Sequence, residues 1–208
     1  MGAQQSRGSV PQDHVGPEVH LGEIHPELDN REVDGSIRLD LGCGNKRQDG
    51  WIAVDVRHDG KGIQPDVTCD VSEPIPLPDN YADEIRAIHL IEHFVPWKVE
   101  KILKEWVRIL KPGGQLAIEC PCLEKVLALA NVPEIPPSFT YWALYGDPRH
   151  ESEEMLHKWC YGKMQLFKLM ARCGLVGLAH EVPQFHHPVR DMRIVGRKPI
   201  PEPVIALK

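Results

Sequence analysis

The chain has 208 residues with 42% hydrophobic content, which suits one domain with a sizeable buried core and argues against a second. It carries 30 Asp and Glu against 24 Lys and Arg, a formal net charge of -6. That balance provides no non-specific attraction to polyanions, so neither nucleic acid nor an anionic membrane surface is an expected partner.

Six cysteines, Cys43, Cys69, Cys120, Cys122, Cys160 and Cys173, lack the paired spacing of a zinc site and follow no secretory leader. They read as reduced thiols, and the expected location is cytoplasmic. No apolar run reaches the roughly 18 residues of a membrane span, so no stable membrane insertion is expected. The opening "MGAQQS" satisfies the pattern for myristoylation of Gly2, which alone would give marginal, reversible membrane binding.

Residues 1–34 are polar and rich in Gly and Pro, and read as a flexible tail or active-site cover outside a domain over 35–208. From Ile37, short apolar runs predict buried strands at Ile37–Leu41, Trp51–Val56, Val67–Asp70, Glu84–His89 and Gln115–Glu119. Between the last two, Val99, Ile102, Leu103, Trp106 and Leu110 recur at helical spacing, with Pro96 near the start and Pro112, Gly113 and Gly114 as the stop. Further helices are expected near Leu123–Ala130 and Lys163–Cys173. Residues 131–162, dense in Pro, Tyr, Trp and charge, read as an insertion forming an acceptor site, with Tyr141, Trp142, Tyr145, Trp159 and Tyr161 as candidates for an apolar wall. Two closing strands, about Leu175–Val182 and Met192–Arg197, complete an α/β, Rossmann-like, doubly wound and mostly parallel seven-stranded sheet with an antiparallel C-terminal strand. Ligands of such sheets bind beyond the carboxyl ends of the strands.

At one such end stands "LDLGCGN", in which Gly42 and Gly44 permit backbone angles barred to other residues and let a ligand approach the main chain. A dinucleotide fold would want a third glycine where Arg47 stands, which weakens a nicotinamide-dependent reductase as an alternative. Asp40, just before the turn, suits a cationic amino group. Asp55, ending the next strand, suits two ribose hydroxyls, and Asp70, ending the third, suits an exocyclic adenine amine. The three acids ask for one ligand with amino, ribose and adenine parts.

The runs "IRLDLGCGNKRQDGWIAVDV", "DVTCDVSEPIPLPDNYADEIRAIHLIEHF" and "ILKPGGQLAIECP" resemble a class I S-adenosylmethionine-dependent methyltransferase of the broad small-molecule group called type 11. The resemblance implies S-adenosylmethionine as cofactor, with Gly42, Cys43 and Gly44 along its methionine portion, Asp55 on its ribose, Asp70 and Val71 framing its adenine, and His89 close to the sulfonium. Only Asn45 to Gly50 separate Gly44 from Trp51, too few for a helical crossover, so the first helix is expected to shrink to a turn. Lys46 or Arg47 would then supply the positive charge that a helix N-terminus otherwise presents to the cofactor carboxylate.

If the acceptor must lose a proton, the candidate catalytic groups are His89 and His93, with Glu92 able to orient one of these two, and His157. "FHHPVRD" has metal-binding residue types without ligand spacing, and no metal is expected. Pro121 and Cys122 follow the fifth strand, not the fourth, and do not match a cytosine-methylating nucleophile. The expected activity is methyl transfer to a small-molecule acceptor, favouring an oxygen of a sugar or metabolite; the alternative is a catalytically silent cofactor-binding module acting through a partner.

Overall fold

Seven strands form one sheet in the order β3-β2-β1-β4-β5-β7-β6. In the computed structural model, which describes residues 35–56 and 64–202, they are β1 (Arg38–Leu41), β2 (Ile52–Asp55), β3 (Val67–Thr68), β4 (Ala82–Ile88), β5 (Leu110–Pro121), β6 (Val176–Glu181) and β7 (Asp191–Arg197). The expected cover over residues 1–34 lies outside the described residues. Strands β1 to β5 pair in parallel, while β7 runs antiparallel to both β5 and β6. The order reverses between β1 and β4, and the carboxyl ends of the parallel strands there form the rim on which the glycine turn sits.

Alternation along the strands divides the sheet into two unlike faces. Leu39, Leu41, Ile85, Ala87, Leu116, Ile118, Met192 and Ile194 fill one face and join a single apolar core. Against it lie α1 (Pro96–Ile109), through Val99, Ile102, Leu103 and Trp106, and α4 (Lys163–Arg172), through Leu166, Leu169 and Met170. Trp106 is fully buried, and its indole N–H donates to the Val71 carbonyl at 3.0 Å, which ties α1 to the chain just beyond β3. The other face presents Asp40, Arg86, Glu119 and Arg193, all buried. Charged groups in the middle of a sheet need partners. Arg86 Nη2 stands 2.6 Å from Asp40 Oδ2, and Arg193 reaches Glu181 at 3.2 Å and Glu119 at 3.7 Å.

The polar face follows from the short first crossover. Between Gly42 and Trp51 the chain makes only turns, as the residue count required. Trp51 and Phe185 cover that part of the sheet, stacking on Arg86 with its guanidinium carbon 3.9 and 4.7 Å from their ring centres.

Two segments depart from expectation. The Pro112-Gly113-Gly114 run does not end a helix in a loop; α1 stops at Ile109 and β5 begins at Leu110. The glycines form an irregularity opposite Ala82 and Glu84, and Gly113 has φ +83°. A side chain on Gly114 would lie 2.8 Å from the Lys111 carbonyl oxygen. Within residues 131–162 the chain forms α3 (Pro137–Tyr145), following α2 (Leu123–Leu129), although few of its residues are buried. Pro137 at its first turn supplies the preset φ that starts a helix where no apolar periodicity announced one. No helix among the described residues is long and apolar enough to cross a membrane.

Candidate active site

At the end of β1, Gly42 N donates to the Val54 carbonyl at 2.8 Å, continuing the ladder as the chain turns away. Gly42 has φ +67° and a Cβ there would meet Leu90 Cδ1 at 2.7 Å, whereas Gly44 has φ +55° and open space where its Cβ would be. The first glycine therefore lets the turn pack on the loop after β4, and the second leaves the main chain accessible. Gly44 N donates to Asp55 Oδ2 and Val56 N to Asp55 Oδ1, each at 2.7 Å. Cys43 between the glycines is buried, and burial, then Asp55, Asp40 and Asp66, push its thiol up to about 12.

Asp70 is exposed just beyond β3, with Oδ1 accepting from Ser72 N at 2.8 Å. Val71 is buried and held through its carbonyl by Trp106. Asp40 differs from its expected place. Only 6% exposed and bound to Arg86, it does not stand free to receive an amino group. Its side chain lies in the sheet because strand alternation turns it toward β4, where Arg86 is its register partner. Arg47 is likewise committed, bonded to Asp66 and donating to the Gln64 carbonyl at 3.0 Å, while Lys46 is exposed.

His89 follows β4 with φ +49°, an uncommon conformation for a residue with a side chain. Its N–H donates to the Glu119 carbonyl at 2.7 Å, Nε2 is 3.1 Å from Asp191 Oδ2, and Nδ1 is 3.1 Å from Glu92 Oε1. Burial favours the neutral ring, but the bonds to Asp191 and Glu92 outweigh it and push the imidazole up to about 9. His186 stacks on it at 4.1 Å between ring centres. The β6–β7 loop carrying His186 is anchored by Glu119, whose carboxylate accepts from the backbone N–H groups of Gln184, Phe185 and His186 at 2.8, 3.0 and 3.1 Å.

Three residues later in the same segment begins a second constellation. Glu92, His93 and His157 each place a ligand-type atom within 4.8 Å of the others, although His157 comes from the distant insertion. Glu92 is 1% exposed and its carbonyl accepts from Lys158 N and Trp159 N at 2.7 and 3.2 Å, which docks the insertion onto the turn after β4. The structure thus brings together Glu92, His93 and His157 of the catalytic candidates, with His89 beside Glu92. Of the insertion's aromatics, Tyr141, Tyr145 and Trp159 are exposed, Tyr161 is buried, and Trp142 stacks under Arg149 at 4.2 Å.

Arg86 and Glu119 were not among the sequence candidates, and Asp191 entered only as the acid of "FHHPVRD". Their signal was present as a charge inside an apolar strand, "EIRAI" and "LAIEC", or opening one, "DMRIV". A buried charge demands a partner, but which partner is a matter of sheet register.

The family model described as "Methyltransferase domain" matches residues 39–118. By sequence the chain matches no curated protein. In structure it is similar to an S-adenosylmethionine-dependent methyltransferase from Archaeoglobus fulgidus, at 19% identity and a TM-score of 0.56, over 82% of this chain and 90% of that one. A methyltransferase from Methanosarcina mazei gives 16% identity and a TM-score of 0.53, over 85% and 99% of the two chains. A possible histamine N-methyltransferase from Thermotoga maritima gives 17% and 0.52, over 83% and 86%. The matched domain over residues 39–118 and the sheet order together give this chain the fold of class I S-adenosylmethionine-dependent methyltransferases. The matched domain and the similar structures support S-adenosylmethionine as the cofactor, and the open side of Gly44 beside Asp55 is a place that fits such a ligand.

Proposed function

We propose that the chain methylates an oxygen of a small-molecule acceptor, a sugar or another hydroxylated metabolite. In this reading Gly42, Cys43 and Gly44 run along the methionine portion of the cofactor, Asp55 receives the ribose hydroxyls, and Asp70 and Val71 frame the adenine. Asp40 acts indirectly, holding Arg86 and through it Trp51 and Gln48 beneath the turn. Lys46, the basic side chain of this loop not tied to Asp66, faces the cofactor carboxylate. When bound, the cofactor supplies a methyl group activated by a positively charged sulfur.

The observation that carries the reading is the path from Leu90 to His93. Leu90 packs on Gly42 of the turn, and Glu92 and His93 stand beside His157 of the insertion. One short segment therefore joins the cofactor rim to a cluster of Lewis bases. An oxygen nucleophile must shed its proton, and such a cluster serves it either through a free imidazole nitrogen or by holding a cation on which the hydroxyl ionises. Exposed Tyr141, Tyr145 and Trp159 suit the stacking of a sugar or ring. The acidic charge favours such a small acceptor over nucleic acid.

Calorimetry with S-adenosylmethionine tests the rim. Replacing Asp55 by Ala removes charge-assisted hydrogen bonds of about 1.5–3 kcal/mol and is expected to weaken cofactor binding roughly 10- to 100-fold. Unchanged affinity would reject the assignment. A methyl-transfer screen against metabolite and glycan pools tests the activity; tight cofactor binding with no transfer to any pool would favour a binding module instead.

A further inference from the structure

We propose that Glu92, His93 and His157 form a binding site for a divalent transition-metal ion of the zinc type. No ligand spacing announces it, because two residues are adjacent and the third lies in a remote insertion.

The argument begins with tautomers. His93 Nδ1 stands 3.1 Å from the Glu154 carbonyl oxygen, and His157 Nδ1 stands 2.9 Å from that of Ala143. A carbonyl only accepts, so each ring carries its proton on Nδ1, and in the neutral ring the lone pair is left on Nε2. A backbone carbonyl orienting the far nitrogen is the usual second shell of a metal-binding imidazole. The third group is a fully buried carboxylate. Glu92 Oε2 has no partner among the described residues, and Oε1 has only His89 Nδ1 at 3.1 Å. Leaving a buried acceptor unsatisfied is costly, and a cation relieves it.

The two imidazoles and the carboxylate are thus gathered in one place. One ligand-type atom of each residue lies within 4.8 Å of the others, and tetrahedral zinc with ligands at about 2.0–2.1 Å sets donors roughly 3.3 Å apart, so binding draws the three side chains together. The bonds from Lys158 N and Trp159 N to the Glu92 carbonyl already fix the segment bearing His157 to the segment bearing the other two. Two imidazoles and a carboxylate suit zinc and its first-row neighbours, and three protein ligands leave a position for water or an acceptor oxygen.

Metal binding is measured without cofactor or acceptor, so it stands or falls separately from methyl transfer. The full chain, stripped with a chelator, is titrated with Co²⁺ and followed by its visible absorption, then challenged with Zn²⁺. One Co²⁺ per chain, displaced by Zn²⁺, is expected. His157→Ala and Glu92→Gln are each expected to weaken Co²⁺ binding at least 100-fold, while the exposed His180→Ala leaves it unchanged. His157 lies in the insertion, outside the sheet, and circular dichroism of each variant checks that the fold is retained. Absence of a Co²⁺ band at millimolar metal in the folded wild type, or a band of equal affinity in a His93→Ala/His157→Ala double variant, would overturn the proposal.

Discussion

A side chain added at Gly42 would come within 2.7 Å of one Leu90 methyl and 3.0 Å of the other, at a φ of +67° that disfavours any residue with a Cβ. Two penalties therefore act on one atom, one conformational and one steric. Gly42→Ala is expected to destabilise the fold by about 1–3 kcal/mol, read from the urea midpoint. Leu90→Ala should recover only the steric part, so the two substitutions are expected to couple. Strict additivity in that cycle would contradict the packing of the turn on the loop after β4. Gly44, with open space beside it, was equally legible in "LGCG", but its distinct use was not: the motif says that the backbone bends, while Leu90 and Asp55 say which side is closed and which is open.

Among the elements, α1 was the plainest in the sequence because its apolar positions recur at helical spacing and its amphipathic face needs a sheet to bury it. Trp106 closes that contact, buried against the core, edge-on to Phe94 at 6.2 Å between centres and bonded to Val71. Trp106→Ala is expected to cost about 3–5 kcal/mol, with a clear drop in Tm. Because Val71 neighbours the proposed adenine edge, cofactor affinity should fall as well; a stability loss with unchanged cofactor binding would separate the helix from the rim. By contrast α3 escaped notice, since its burial comes from a few residues such as Thr140 and Ala143, with no stripe to read. The partner of Asp40 was hidden for a related reason. A carboxylate before a glycine turn looks available until register sets Arg86 across from it.

Over the whole molecule, the cysteines provide a test that samples many places at once. All six are free, and burial is the leading cause that raises each of them: Cys43, Cys69 and Cys160 to about 12, Cys173 to about 11, and Cys120 and Cys122 above their usual range. The thiolate is the nucleophile, so at pH 8 the native chain is expected to react slowly with a thiol reagent and faster only as pH climbs toward 11 and above. Denaturation should release all six at once. Rapid modification of the native chain at pH 8 would contradict the packing around the turn and the insertion.

What the sequence determined by itself was whatever is written in local pattern: strands as short apolar runs, α1 as a periodic stripe, a glycine turn at a strand end, and a first crossover too short to hold a helix. These are properties of neighbouring residues, and elementary stereochemistry reads them directly. Only the tertiary structure decided which distant charges meet. The pairing of Asp40 with Arg86, the clasp of Asp191 on His89 and the gathering of Glu92, His93 and His157 all depend on strand register and on where the insertion docks. A buried charge announces that it needs a partner, but the fold alone chooses it, because the cost of burying it is settled across space and not along the chain.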